Sequence, residues 1–403
     1  MLDNITNKEA SGLQSPQDST VSVPTELIIS EQELSGQMAD PSSIIFCERR
    51  LSELASRIGK GSELKPVGIS DGTHVYFSNY DCFDQPVISL SDRLTSLHPI
   101  GRGGMGRVDL VELQGTEHRF AYKLFHLSLP RSLSAEEICE KERPFFEGEL
   151  AGHIEAIGDD PSAPDTSAPK LYEAGMRPDG KFYLIMQYLE GNTLYKILQD
   201  PEDELNIEET LLISMGIAKD LDAYHKKGFV HRDVKAANII LTDKDAHLCD
   251  YGLAKRKGES RSYEGKRILV GTPSCLAPEL LDGAVEDERT DLFSYGMVLY
   301  ELFTRTNPIR EEYSRIHAKK MSEATTGKGS DEGFLRDVYH NIAFPQTLAE
   351  GIPDSVAEII EKCTELDPKK RYASCGEVLS DLMNVYTSLP QATLDSYTHN
   401  PTE

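Results

Sequence analysis

Between about residue 94 and residue 189 the apolar positions fall in short runs with alternate spacing. "LTSLHPIG", "RVDLVEL" and "FAYKLF" read as strands, and "KFYLIMQYL" as a buried one. One helix interrupts them: Pro144 suits a first helical position and opens "PFFEGELAGHIEAIG". From "NTLYKIL" onward the spacing turns helical, most clearly in "IEETLLISMGIAKDLDAYHKKG", with "NIIL" and "AHLCD" as short strands between helices. A strand-rich part followed by a larger helical part predicts an α+β fold of two lobes, a small β-rich N-lobe and a larger helical C-lobe, with a cleft between them.

The flanks read differently. Residues 1–43 are rich in Ser, Gln, Glu and Asp with little periodicity, which predicts a disordered tail. In 44–90, Ile44, Leu51, Leu54 and Ile58 recur at helical spacing before Gly59, and "THVYFSN" and "PVISL" read as strands. That stretch is expected to be an ordered extension with no assigned role. The main domain is expected over 91–388 and a C-terminal tail over 389–403. "GDDPSAPDTSAP", residues 158–169, reads as a turn-rich loop.

Charge narrows the function. The formal net charge is −25, which disfavours nucleic acid and anionic membrane surfaces as partners. Any phosphate site must be a local positive pocket. No apolar run is long enough to span a bilayer. The start "MLDNITNKEASGLQSPQ" lacks the basic and apolar parts of a secretory signal, so a cytoplasmic setting is expected, although a polar leader of this kind also suits non-classical export. The seven cysteines are scattered without a C-x-x-C, which favours free thiols over a disulfide framework or a zinc site.

Against this acidic background, "GRGGMGRV", Gly101–Val108, carries glycines at G-x-G-x-x-G. A dinucleotide site would need a helix after that loop. A strand follows instead, so the segment forms a glycine-rich flap between strands, and taken alone an ordinary glycine hairpin fits it as well. In "FAYK", strand alternation puts Ala121 and Lys123 on one face and Phe120, Tyr122 and Leu124 on the other. A small residue against a base and a lysine reaching phosphates belong on one face. One ammonium about 4 Å from a phosphate charge is worth roughly 4 kcal/mol at an effective dielectric near 20.

"HRDVKAAN", 231–238, "DYG", 250–252, and "APE", 277–279, follow in order. With the flap, Lys123, "DLFSYGMVLYEL" at 291–302 and "DPKKRY" at 367–372, the chain resembles the eukaryotic-type (Hanks-type) serine/threonine protein kinases over about 91–388. The resemblance implies transfer of the γ-phosphoryl group of Mg²⁺-ATP to protein hydroxyls. It implies Asp233 as the base that orients the acceptor, Lys235 on the γ-phosphate, and Asn238 and Asp250 as Mg²⁺ ligands, hard oxygen donors as that ion requires. The ATP site would comprise Ile100, Gly101, Arg102, Gly103, Gly104, Met105, Gly106, Arg107, Val108, Ala121 and Lys123, with Met186 behind the adenine and Gln187 and Leu189 offering backbone groups to its edge. The family holds its lysine with a helix glutamate. Glu147 and Glu149 both qualify, and F-x-x-E spacing from Phe146 favours Glu149. Lys235 together with "GTP", 271–273, implies Ser/Thr rather than Tyr acceptors.

The same resemblance implies that Arg232 draws an anion from the loop 250–279. Phosphorylated Ser260 or Ser262 would supply one, and Glu264 is a permanent alternative. Several residues depart from the pattern: Tyr251 replaces a phenylalanine, Cys275 stands where tyrosine is usual, and 310–333 is a polar insertion. Two other readings are a pseudokinase scaffold, which normally lacks one of Lys123, Asp233, Asn238 or Asp250, and a small-molecule kinase, which lacks the "APE" platform. The partners expected are protein substrates, with no nucleic acid.

Overall fold

The computed structural model describes residues 74–78, 90 and 93–390, apart from 128, 130, 131, 158–167, 244, 259–261, 264, 265, 268–270, 313, 316–337 and 340–352. The helix expected at 44–58, the strand at 86–90 except Leu90, the loop 158–167, most of the insertion 310–333 and both tails therefore lie outside the described residues.

The small lobe is built on a six-stranded sheet. Its strands are β1 (His74–Ser78), β2 (Leu94–Gly103), β3 (Gly106–Leu113), β4 (Arg119–Phe125), β5 (Leu171–Met176) and β6 (Phe182–Gln187), in the order β1-β5-β6-β4-β3-β2. β1 belongs to the stretch read as an extension of unassigned role, yet it pairs antiparallel with β5, His74 opposite Met176 and Ser78 opposite Glu173. Leu90 joins the same lobe. It is fully buried among Val111, Leu113, Phe120, Tyr183 and Ile185, and its N–H donates to Glu173 Oε2 at 2.6 Å. The sheet of the small lobe thus begins before residue 91.

Helix α1 (Ala135–Ile157) lies against this sheet, and its start corrects the sequence reading. It begins at Ala135, and Pro144 is interior to it. The start is set by a capping box: the Glu137 N–H donates to Ser134 Oγ at 3.2 Å, and the Ser134 N–H donates to Glu137 Oε2 at 2.7 Å. Pro144 has no N–H for the carbonyl of Glu140, but both residues are on the exposed face, so the missing bond leaves no buried polar group unpaired there. The opposite face buries Phe146, Leu150 and Ile154 against Phe125, Phe182 and Leu184. That packing outweighs one missing backbone bond.

The large lobe follows a hinge through β7 (Gly191–Thr193). Its helices include α2 (Leu194–Gln199), α3 (Ile207–Lys226), α4 (Glu288–Thr304), α5 (Asp354–Cys363) and α6 (Cys375–Ser388). Each of α2, α3, α4 and α6 opens on a side chain that accepts a first-turn N–H: Thr193, Asn206, Asp287 and Ser374 respectively. One core joins Leu211, Ile217 and Leu221 of α3 to Tyr295, Val298 and Leu299 of α4, Ile359 of α5 and Leu382 of α6. Short strands β8 (Phe229–Val230), β9 (Ile239–Thr242) and β10 (Ala246–Leu248) lie at the cleft side, followed by β11 (Lys255–Arg256), β12 (Ser262–Tyr263) and β13 (Lys266–Arg267). β9 and β10 form a hairpin that carries the segments 231–238 and 250–252 at its ends. The architecture is the α+β arrangement expected.

Candidate active site

The glycine-rich segment is a hairpin. β2 pairs antiparallel with β3, Gly101 opposite Val108 and Gly103 opposite Gly106, so Gly104 and Met105 form its tip. A Cβ on Gly103 or Gly104 would meet nothing within 4 Å, which leaves the backbone there open to a ligand. Gly106 is required for another reason. Its φ is 155°, and a Cβ there would lie 2.2 Å from the Leu124 carbonyl. The tip is tied to β4 through the His126 N–H, which donates to Met105 O at 3.0 Å. Ile100, Arg102 and Arg107 flank this hairpin on β2 and β3.

β4 lies between β3 and β6, with Val108 opposite Lys123, Leu110 opposite Ala121, and Met186 opposite Ala121. Phe120, Tyr122 and Leu124 pack together on the outer face. Ala121 and Lys123 are on the other. Beyond Met186, the Gln187 N–H is taken by Lys170 O at 2.7 Å. Leu189 lies just past the end of β6 and is nearly buried.

Lys123 is the junction of the two lobes. Its Nζ donates to Glu149 Oε1 and Oε2 at 2.6 and 2.7 Å, and to Asp250 Oδ1 at 2.9 Å. Of the two glutamates weighed on α1, the one that meets the lysine is Glu149. Burial alone would lower the Lys123 ammonium, but Asp250 and Glu149 together outweigh it and hold its pKa above the ordinary value. Burial pushes Glu149 up to about 7 against the pull of Lys123. Burial pushes Asp250 the other way, weakly for a side chain that is 43% exposed, and Lys123 and Lys235 hold it down at about 2. Its φ of 63° is in the left-handed region that aspartate tolerates.

Across the cleft floor, Asp233 is held from three sides. Thr272 Oγ1 donates to its Oδ1 at 2.7 Å, Lys235 Nζ lies 2.8 Å from its Oδ2, and Asn238 Nδ2 donates to Oδ2 at 3.0 Å. Lys235 Nζ also donates to Thr272 Oγ1 at 2.9 Å. Burial works against the Lys235 charge, but Asp233 raises its pKa overall. The turn below is anchored by Asp291 of α4, whose two oxygens accept the N–H groups of His231 and Arg232, both at 2.7 Å. Asp291 Oδ2 also takes His225 Nε2 at 2.8 Å.

Several functional neighbours escaped sequence reasoning. Gly152 is one: a Cβ there would lie 2.9 Å from both Ala254 Cβ and Tyr251 O, so its absence lets α1 approach the Asp250–Gly252 segment. A glycine inside an otherwise helical run was the available signal. His153 is another. It is buried, donates from Nε2 to the Pro169 carbonyl and meets Tyr251 edge-on, ring centroids 5.5 Å apart. Tyr251 fills the aromatic position and adds a bond from its hydroxyl to Leu248 O at 3.0 Å. No local pattern marks Glu286, whose carboxylate pairs with the Arg232 guanidinium. Ser260 and Glu264 lie outside the described residues, and Ser262 is described by its backbone alone, in β12.

The segment around Glu279 is also fixed. Arg371 Nη1 and Nη2 donate to Glu279 Oε1 and Oε2 at 2.8 and 2.7 Å, a fork-to-fork pair. Cys275 is buried behind Thr272, and its thiol is pushed up to about 12 by desolvation.

Residues 167–383, more than half of the chain, match the family model of the protein kinase domain. A probable serine/threonine-protein kinase of Clostridium perfringens is 31% identical over 215 residues, 53% of this chain and 29% of that protein. The serine/threonine-protein kinase PknK of Mycobacterium tuberculosis is 28% identical over 301 residues, 74% of this chain and 24% of that protein. PknB of Mycobacterium leprae is 28% identical over 302 residues, 75% of this chain and 44% of that protein. The chain therefore spans less than a third of the first two relatives and under half of the third. The upstream hairpin and Lys123, outside the matched 167–383, complete the same cleft. The chain belongs to the protein kinase family.

Proposed function

We propose that this chain transfers the γ-phosphoryl group of ATP to serine or threonine hydroxyls of proteins. The observation that carries the proposal is the convergence of Lys123, Asp233 and Asp250 on one cleft, with Lys123 bonded to Asp250 and Asp233 held by Thr272, Lys235 and Asn238. Phosphoryl transfer needs positioning and charge neutralisation more than covalent help. Lys123 brings a fixed ammonium to the phosphates under the Gly101–Val108 flap. Asp233 receives and orients the acceptor hydroxyl, and Lys235 beside it faces the transferred group. Ala121, Met186, Gln187 and Leu189 line the adenine end.

The donor set fits Mg²⁺. The Asn238 amide donates through Nδ2 to Asp233, which turns its oxygen outward, and Asp250 stays ionised. Asn238 and Asp250 would hold the ion, which when bound neutralises phosphate charge. The Glu279–Arg371 pair fixes the wall at 273–282, which favours a polypeptide over a small-molecule acceptor. A cytoplasmic, reducing setting belongs to the proposal and is supported by free cysteines at 139, 249, 275, 363 and 375. Among the described residues no helix is long and apolar enough to cross a membrane.

The test pairs binding with transfer. Calorimetry should show ATP binding that needs Mg²⁺, and a basic protein such as histone should gain phosphoserine or phosphothreonine. Binding without transfer would support the scaffold reading. Phosphate on a sugar or antibiotic in preference to any protein would support the small-molecule reading.

A further inference from the structure

The geometry points to Glu286 as a positioning residue for Asp233, acting through Arg232 and making transfer independent of a phosphate on the loop 256–270. This inference rests on the phosphotransfer reading above.

Arg232 precedes Asp233 and has a left-handed φ of 74°, a conformation that a non-glycine residue keeps only when its surroundings hold it. Those surroundings are visible. Below, the Arg232 N–H is held by Asp291. Above, the chain after the loop crosses close by: a Cβ on Gly271 would lie 3.1 Å from the Arg232 carbonyl, and Thr272 reaches Asp233 itself. The side chain is the third fixed point. Arg232 is 6% exposed and Glu286 8%, and the carboxylate pairs with Nη2. Among the described residues Nε and Nη1 of Arg232 have no hydrogen-bond partner, and the counter-charge on the guanidinium is Glu286 at Nη2.

A buried guanidinium requires an anion. Here the anion is a side chain of the large lobe, placed immediately before Asp287, which caps α4. The same helix carries Asp291. Helix α4 therefore holds the backbone of the turn through Asp291, and the residue just before its cap, Glu286, holds the Arg232 side chain. With Glu286 in place, no second anion is needed to keep Asp233 aimed at Thr272, Lys235 and Asn238.

The experiment uses the full chain and three variants. Glu286→Gln keeps the shape and removes the charge. It is expected to lower kcat at least tenfold with KM for ATP within twofold of wild type, because Glu286 is not among the residues assigned to the ATP site. Glu286→Asp keeps the charge, one methylene short, and is expected to lose two- to fivefold in kcat; it carries the test if Glu286→Gln does not fold. Ser260→Ala/Ser262→Ala is expected to keep kcat within twofold. A Glu286→Gln enzyme with wild-type kcat, or a tenfold loss in the double serine variant, overturns the inference. Hydrogen exchange gives a readout that needs no transfer. Glu286→Gln should speed exchange of the His231–Asp233 amides at least tenfold while those of α3 stay unchanged, and unchanged exchange at 231–233 overturns the inference. If wild type transfers no phosphate but this exchange effect is present, the phosphotransfer reading fails and the Glu286–Arg232 coupling stands.

Discussion

Lys123 Nζ stands 2.6 Å from Glu149 Oε1 and 2.9 Å from Asp250 Oδ1, so one ammonium links helix α1 of the small lobe to the segment after β10 in the large lobe. Glu149 is 1% exposed and cannot be replaced by water. Glu149→Gln should leave the fold intact and let the lysine drift from the phosphates. Misplacing a reacting or positioning group by about 1 Å costs on the order of 100-fold in rate. Steady-state kinetics should show a loss of about that size in kcat, and a smaller change in KM for ATP.

Gly152 sets the distance between α1 and Tyr251. An alanine methyl at that position would fall 2.9 Å from Tyr251 O, inside van der Waals contact. Gly152→Ala should push α1 outward and lengthen the Lys123–Glu149 bond. The expected result is a drop of about tenfold or more in kcat, with overpacking costing about 1–3 kcal/mol in urea unfolding. Gly180→Ala is the control; its Cβ would meet nothing within 4 Å, so only its positive φ would be strained.

His153 predicts a pH dependence. Burial first of all lowers its pKa to about 4; the bond to Pro169 and Asp250 oppose that shift, and Lys123 adds to it. The folded pKa is below the ordinary 6.5, so the unfolded chain takes up the proton first as pH falls. The stabilisation is full above pH 6.5 and is lost as pH falls through about 4, a difference of about 3 kcal/mol. His153→Leu should flatten the stability curve over that window, measured by urea denaturation. His231 is shifted down by burial in the same direction, so some slope should remain.

The sequence made visible what is local and hid what is not. Gly101–Val108 and His231–Asn238 are contiguous, and each spells out a loop that its own residue types dictate. Glu149 was legible by its spacing from Phe146 on one helix. Glu286 was not, because its partner Arg232 is distant in sequence and an exposed glutamate would look the same. The start of α1 was misread at Pro144 although Ser134 and Glu137 form a standard cap, and the exposed face tolerates the proline. β1 was read as a strand, but its pairing with β5 follows only from the sheet order.

The Glu279–Arg371 pair tests how the segment 273–282 is held. Arg371 has a fully buried side chain and meets Glu279 with both terminal nitrogens. Removing one partner strands a buried charge and costs about 3–5 kcal/mol. Glu279→Gln should lower the urea midpoint accordingly. Arg371→Lys should also destabilise the protein, because a point charge cannot replace a two-pronged contact.

The most direct test of the central claim is transfer of label from [γ-³²P]ATP, with Mg²⁺, to the chain itself and to histone, comparing wild type with Asp233→Ala. The account predicts labelled phosphoserine or phosphothreonine with wild type and a loss of at least a hundredfold in the variant, with ATP binding retained in both. Equal labelling by the two proteins would contradict it.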